Sequence, residues 1–154
     1  MTTYDDFAQQ APELAAAIRA RFEAERHHVL ATLRADGSPR VSGTEVGFRN
    51  GQLFLGSMPD ARKAHDLQRD PRCALHAHTG DGTMAGGDAK VAGRAVEVTD
   101  EPTLATFQSA EQPPGPFHLF LLDLTEAVLT TVADDQLVVQ VWRPGAEVRT
   151  VRRT

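Results

Sequence analysis

The sequence predicts a mainly β protein, a closed antiparallel barrel with short helices at its ends. Three observations carry this expectation. Short apolar or β-branched runs recur along most of the chain, turn signals such as Asp36-Gly37 and Asn50-Gly51 separate them, and helical spacing is confined to short stretches. About eight strands and three short helices result, a ratio that favours a barrel over a layered α/β architecture. With 154 residues and 41% apolar content the chain can bury one core, so a single domain over 1–154 is expected, its first 27 residues forming an N-terminal helical segment. The Pro-rich stretch Pro113 to Pro116 is too short to be a linker between two cores.

From Glu13 to Arg26, Leu14, Ala17, Ile18 and Phe22 recur at helical spacing and predict an amphipathic helix. The run Val29 to Leu33 predicts a strand, ended by Asp36-Gly37-Ser38-Pro39, where Gly37 supplies the positive φ of a hairpin turn. Arg40 to Phe48 reads as a second strand, Arg49-Asn50-Gly51 as another tight turn and Gln52 to Ser57 as a third strand, together a meander. Met58-Pro59-Asp60 breaks the sheet. Asp60 is the expected N-cap of a helix through Ala64 and Leu67 that ends before Asp70-Pro71. Cys73 to Ala77 is a fourth strand, the Gly-rich segment Thr79 to Gly87 a loop, Asp88 to Val98 a long strand, and Asp100 caps a helix near Pro102 to Gln108. Four strands complete the chain: Phe117 to Leu124, Ala127 to Val132, Leu137 to Trp142 after an Asp134-Asp135 turn, and Val148 to Val151.

Charge and motif content narrow the function. A net charge of −5 argues against a broad nucleic-acid-binding surface, although Arg143, Arg149, Arg152 and Arg153 crowd the C-terminus as a solvated tail or an anion contact. The acidic opening and the lack of a long apolar run point to a cytosolic protein without a membrane partner. Cys73 lacks a disulfide partner and fits a small buried position. His76 and His78 alternate onto one strand face, but without a third ligand no metal site is expected. Hydrolase elbows, zincin helices and Walker loops are missing.

The stretch Gly56 to Arg72 holds the components of a phosphate site. A strand end, the Ser57 hydroxyl, a helix N-terminus and the adjacent cations Arg62 and Lys63 follow one another. Taken alone, Arg-Lys on a first helical turn is more often a solvated face. The same segment resembles the phosphate-binding signature of the pyridoxamine 5′-phosphate oxidase family, Ser-Arg-Lys-Ala, a helix, then Asn-Pro-Arg, here Ala61-Arg62-Lys63-Ala64 and Asp70-Pro71-Arg72. The resemblance extends through the strand order from Val29 to Val98 and more loosely through the C-terminal strands.

That resemblance implies a split β-barrel of Greek-key type, a homodimer, and FMN at the subunit interface. It places cofactor contacts on Val41, Ser42, Gly43, Thr44, Glu45 and Val46, on Gly56 and Ser57, and on the phosphate cations Arg62 and Lys63. Small residues at 42–44 suit a ring approaching the backbone. Asp88 stands where the family carries an amide. Trp142, with Arg152 ten positions on, has the spacing of two residues that in the family reach the cofactor of the other subunit, while a core Trp and a solvated Arg fit the same positions. The family's Arg-x-His substrate motif is replaced by Val148 and Thr150, which implies a relative without pyridoxamine phosphate oxidase activity. Leu33 to Pro39 and Arg143-Pro144-Gly145 are similar to actinobacterial members, some of which use deazaflavin F-420. The expectation is a flavin-type oxidoreductase acting on a small molecule, with no side chain singled out as acid or base; the alternative is a non-catalytic protein that holds or sequesters a flavin or haem.

Overall fold

The computed structural model describes residues 1–109 and 115–154, so Pro113 and Pro114 of the Pro-rich stretch lie outside the described residues. The described residues form nine strands: β1 (His28–Leu33), β2 (Pro39–Thr44), β3 (Val46–Arg49), β4 (Gln52–Ser57), β5 (Arg72–His76), β6 (Asp88–Val98), β7 (His118–Ala133), β8 (Gln136–Trp142) and β9 (Arg149–Arg153). Four short helices accompany them: α1 (Tyr4–Gln10), α2 (Pro12–Ala24), α3 (Arg62–Arg69) and α4 (Glu101–Phe107). Every strand pairing is antiparallel.

The N-terminus holds two helices where periodicity predicts one. α1 buries only Tyr4 and Phe7, too few side chains for a 3.6-residue pattern, and its signal is local. Thr3 and Asp6 form a reciprocal capping box, the Thr3 hydroxyl accepting from the Asp6 amide and the Asp6 carboxylate from the Thr3 amide. Pro12 then opens α2, where a missing N–H costs nothing. Phe7, Leu14, Ile18 and Phe22 enter the main core beside Leu30, Leu55, Leu75 and Leu122.

The expected three-strand meander is corrected. Arg40 to Phe48 is two strands, broken at Glu45: β2 pairs with β1, whereas β3 pairs with β4 through a turn at Asn50 and Gly51 (φ 53° and 73°). The pairing order is β2-β1-β5-β6-β7-β4-β3, so β2 and β3 stand at opposite ends of the path although one residue separates them in the chain. Ends joined by one residue close the path into a barrel with its seam at Glu45, where β2 also lies against β4. Apolar alternation does not mark such a seam, because each strand keeps its own two-residue period on either side of it.

The sequence also divides β7 into two strands, whereas it runs unbroken for 16 residues. Its polar interruption is a bulge. Ala92 pairs with Glu126 and Gly93 with Leu124, leaving Thr125 unpaired, and a Cβ at Gly93 would overlap the Asp123 carbonyl. On the outer face of β4, β6 and β7, α4 covers a second, smaller apolar cluster of Phe107, Leu119 and Leu121 with Phe54. No helix among the described residues is long and apolar enough to cross a membrane.

Candidate functional site

The site begins where β4 ends and α3 starts. Asp60, expected to cap α3, instead carries the chain through a left-handed turn (φ 58°), a conformation Asp tolerates better than most residues. Ala61 takes the N-cap position and offers no side-chain acceptor. The first turn therefore has unpaired backbone N–H groups, no carboxylate, and Arg62 and Lys63 as its first two residues. Arg62 is exposed and pairs with no carboxylate among the described residues. Lys63 is half-buried, and its Nζ donates to the Gly43 carbonyl at 3.0 Å. Burial pulls its pKa below the ordinary lysine value, with the nearby Glu45 opposing that shift.

That contact joins α3 to β2, the strand expected to flank a cofactor ring. Alternation splits the strand's side chains between two faces. Val41, Gly43 and Glu45 are exposed, Val41 at 72%, whereas Thr44 is buried and Ser42 half-buried. Val46 belongs to β3 and packs against the core. A Cβ at Gly43 would meet nothing within 4 Å, and one at Gly56 only the His118 carbonyl at 3.9 Å. Both glycines thus leave backbone open to a flat ring. Ser57 is buried, and its hydroxyl donates to the Met58 carbonyl.

α3 is tied down by residues that sequence reading passed over. The buried Asp66 carboxylate accepts from Thr32 Oγ1 (2.7 Å) on β1, Arg40 Nε (2.7 Å) on β2 and Arg69 of its own helix (3.0 Å). Burial works to raise its pKa, but the hydrogen bonds from Arg40, Thr32 and Arg69 outweigh it and hold the carboxyl below the usual range. On the other flank Gln68 donates to Glu97, which holds His118 Nδ1 at 2.7 Å, and His118 faces Ser57 across β4 and β7. The available signal was a charged residue between Ala64 and Leu67, the apolar positions of a short helix.

Other expected contacts lie elsewhere. Trp142 is fully buried, with its ring 4.4 Å from Phe7 and its indole N–H donating to Gln10, so it presents no open surface in this chain. Arg152 is exposed on β9 opposite Val138, and Asp88 opens β6 opposite Thr130. Cys73 is buried, and desolvation pushes its thiol up to about 12. Neither histidine of the pair His76 and His78 has an idle Nδ1: one faces the Ala77 carbonyl, the other accepts from the Gly80 amide.

An uncapped, cationic helix start beside an open strand has the components to receive an anion next to a flat ring. The structure of an FMN-binding, pyridoxamine 5′-phosphate oxidase-related protein from Nostoc punctiforme is similar over 94% of this chain and 96% of that one, with a TM-score of 0.66 and 16% identity. PhzG from Burkholderia lata, solved with tetrahydrophenazine-1-carboxylic acid, is similar over 96% and 91%, with a TM-score of 0.61 and 15% identity. An F420 reductase is similar over 65% and 86%, with a TM-score of 0.52 and 19% identity. At these identities the likeness is one of fold, and the fold is the split barrel that the resemblance implies. No curated protein matches by sequence. The family model described as pyridoxamine 5′-phosphate oxidase, however, matches residues 14–144 and so takes in most of α2 and all elements through β8, including both β2 and the cationic start of α3. On that match the chain belongs to the pyridoxamine 5′-phosphate oxidase family.

Proposed function

We propose that this protein is a flavin-type oxidoreductase that binds FMN or the deazaflavin F-420 and transfers hydride between that cofactor and a small organic substrate. The observation that carries the reading is the start of α3, where free backbone amides, Arg62 and Lys63 converge with no carboxylate in the turn. Arg62 and Lys63 hold the phosphate in this reading, while Gly43 and Gly56 admit the ring to the backbone. The bound flavin supplies the hydride chemistry, so the chain need not present an acid–base dyad. Its own residues bind, orient and shield.

A second copy of the chain completes the site in this reading. Support comes from the outer face of β1 and β2, where Val29 and Val41 are 46% and 72% exposed and flank Ala31. Val148 and Thr150 stand where an Arg-x-His grip on a vitamin B6 phosphate would be needed, so pyridoxamine 5′-phosphate is not the substrate proposed.

Parallel titration of the protein with FMN and F-420 at fixed salt tests the proposal. Selective FMN binding directs the substrate search to flavin chemistry, and selective F-420 binding to deazaflavin-dependent reduction. Binding of neither overturns the reading. Binding without turnover by any donor–acceptor pair favours a cofactor-holding protein instead.

A further inference from the structure

We infer that Asp66 is a positioning residue: its buried carboxylate sets the spacing between the strand that flanks the cofactor ring and the helix turn that grips the cofactor phosphate. The inference rests on the proposed function and adds a residue that touches neither ring nor phosphate.

The geometry is a three-way tie. Asp66 lies three residues beyond Lys63 and four beyond Arg62, hence on the same flank of α3, about one turn further along. Its two oxygens are shared among three donors from three elements. Oδ2 accepts from Thr32 of β1 and Arg40 of β2, each at 2.7 Å, and Oδ1 accepts from Arg69 of α3 at 3.0 Å. Arg40 immediately precedes Val41, the first residue of the ring-flanking stretch. A ligand with a ring at one end and a phosphate at the other bridges the two elements that this carboxylate binds together.

The charges explain why the tie is rigid. The Asp66 side chain is 4% exposed and that of Arg40 22%, so neither partner is free to trade the other for water. Two guanidiniums against one carboxylate leave the cluster with a net positive charge, which does not oppose an anion at the helix start. Lys63 to the Gly43 carbonyl is the other hydrogen bond between α3 and β2 among the described residues, and it uses the very ammonium that would turn to a phosphate. Once Lys63 engages the ligand, Asp66 remains as the ligand-independent link. This is how a supporting shell holds binding groups at a fixed separation.

The test separates phosphate-dependent from ring-dependent affinity by comparing FMN with riboflavin, the same ring without the phosphate. Wild-type protein, Asp66→Asn, Arg40→Gln and the double variant are titrated with both flavins, with circular dichroism confirming the fold. The expected result is an FMN preference over riboflavin reduced about tenfold in each single variant, with the double variant no worse than the weaker single one and riboflavin affinity changed less than about twofold. Should Asp66→Asn fail to fold, Thr32→Val removes one of the three bonds without removing charge and is expected to shift the same ratio in the same direction. Folded variants that keep the wild-type preference, or that lose riboflavin and FMN affinity equally, overturn the inference while leaving the proposed function standing. A wild-type protein with no preference for FMN over riboflavin, and none for F-420 over its phosphate-free chromophore, overturns both.

Discussion

Two kinds of helix start in this molecule are built in opposite ways. α4 opens with Asp100 accepting from the Thr103 amide and Glu101 in its first turn; α1 opens with the Thr3–Asp6 box. Each satisfies its own N–H groups and complements its own dipole. α3 has Ala61 at the cap, no acidic residue in the turn and two cations in place of it. Electrostatically that is a destabilising choice for the helix alone, and it is sustained by packing and by Asp66 further along. The difference teaches that stability and ligand binding compete for the same backbone amides; α2 also lacks a side-chain cap but opens on Pro12 with Glu13 in its first turn, so among the described helices α3 alone joins uncapped amides to two cations.

The largest effect should come from erasing the cations. Arg62→Ala with Lys63→Ala is expected to weaken FMN binding about 100-fold, since two charge-assisted contacts to the phosphate go, while leaving riboflavin affinity and the melting temperature nearly unchanged. Equal losses for both flavins in fluorescence titrations would show that the turn grips something other than phosphate. A smaller and opposite pair of changes should follow from giving α3 the cap it lacks. Ala61→Asp is expected to raise Tm by about 2–4 °C and to weaken FMN binding about tenfold, because the new carboxylate occupies the amides and repels phosphate. A rise in Tm with FMN affinity intact would break the contrast between the two kinds of helix start.

The smallest effect is in acid. Hydrogen bonds from Thr3 hold the Asp6 carboxyl below the usual carboxylate range, and those from Thr103 do the same for Asp100. A depressed folded-state pKa contributes stability that is present above the unfolded value of about 3.9 and is lost as pH falls through the folded one. Wild-type Tm should therefore fall below about pH 4, and Asp100→Ala should lower Tm at pH 7 while flattening part of that acid slope, with cofactor affinity untouched. An unaltered slope in Asp100→Ala would place the acid sensitivity outside the cap.

Much of this architecture was legible in the sequence, for reasons that differ by element. β6 runs from Asp88 to Val98 as its apolar alternation requires, and the turns at Asn50-Gly51 and Asp134-Asp135 adopt the positive φ values those residue types suit. Asp100 caps α4 as expected. Alternation carries no mark of which strands meet, so the break at Glu45 and the continuity of β7 through its bulge emerged only in three dimensions. At the candidate site, Arg62 and Lys63 stood out in the sequence only through the family signature, because adjacent cations on a first turn more often form a solvated face. Asp66, Thr32 and Arg40 did not, because a carboxylate one turn into a polar helix looks solvated until the strands beneath it are known.

The long strand β7 has a consequence for how the barrel is made. It pairs with β6 along nearly its whole length, with β4 at its beginning and β8 at its end, so it is the common neighbour of three strands. During synthesis the first six strands emerge with β3 and β4 attached to the others only through the seam at Glu45 and the chain that follows. Closure must wait until residues 118–133 leave the ribosome and draw Leu55 to Phe120 and Val96 to Leu121, contacts separated by 65 and 25 positions. Such late, long-range pairing slows folding and leaves strand edges exposed in the interval. A side chain at Gly93 of β6, opposite that bulge, would overlap the Asp123 carbonyl and so disturb the pairing on which closure depends.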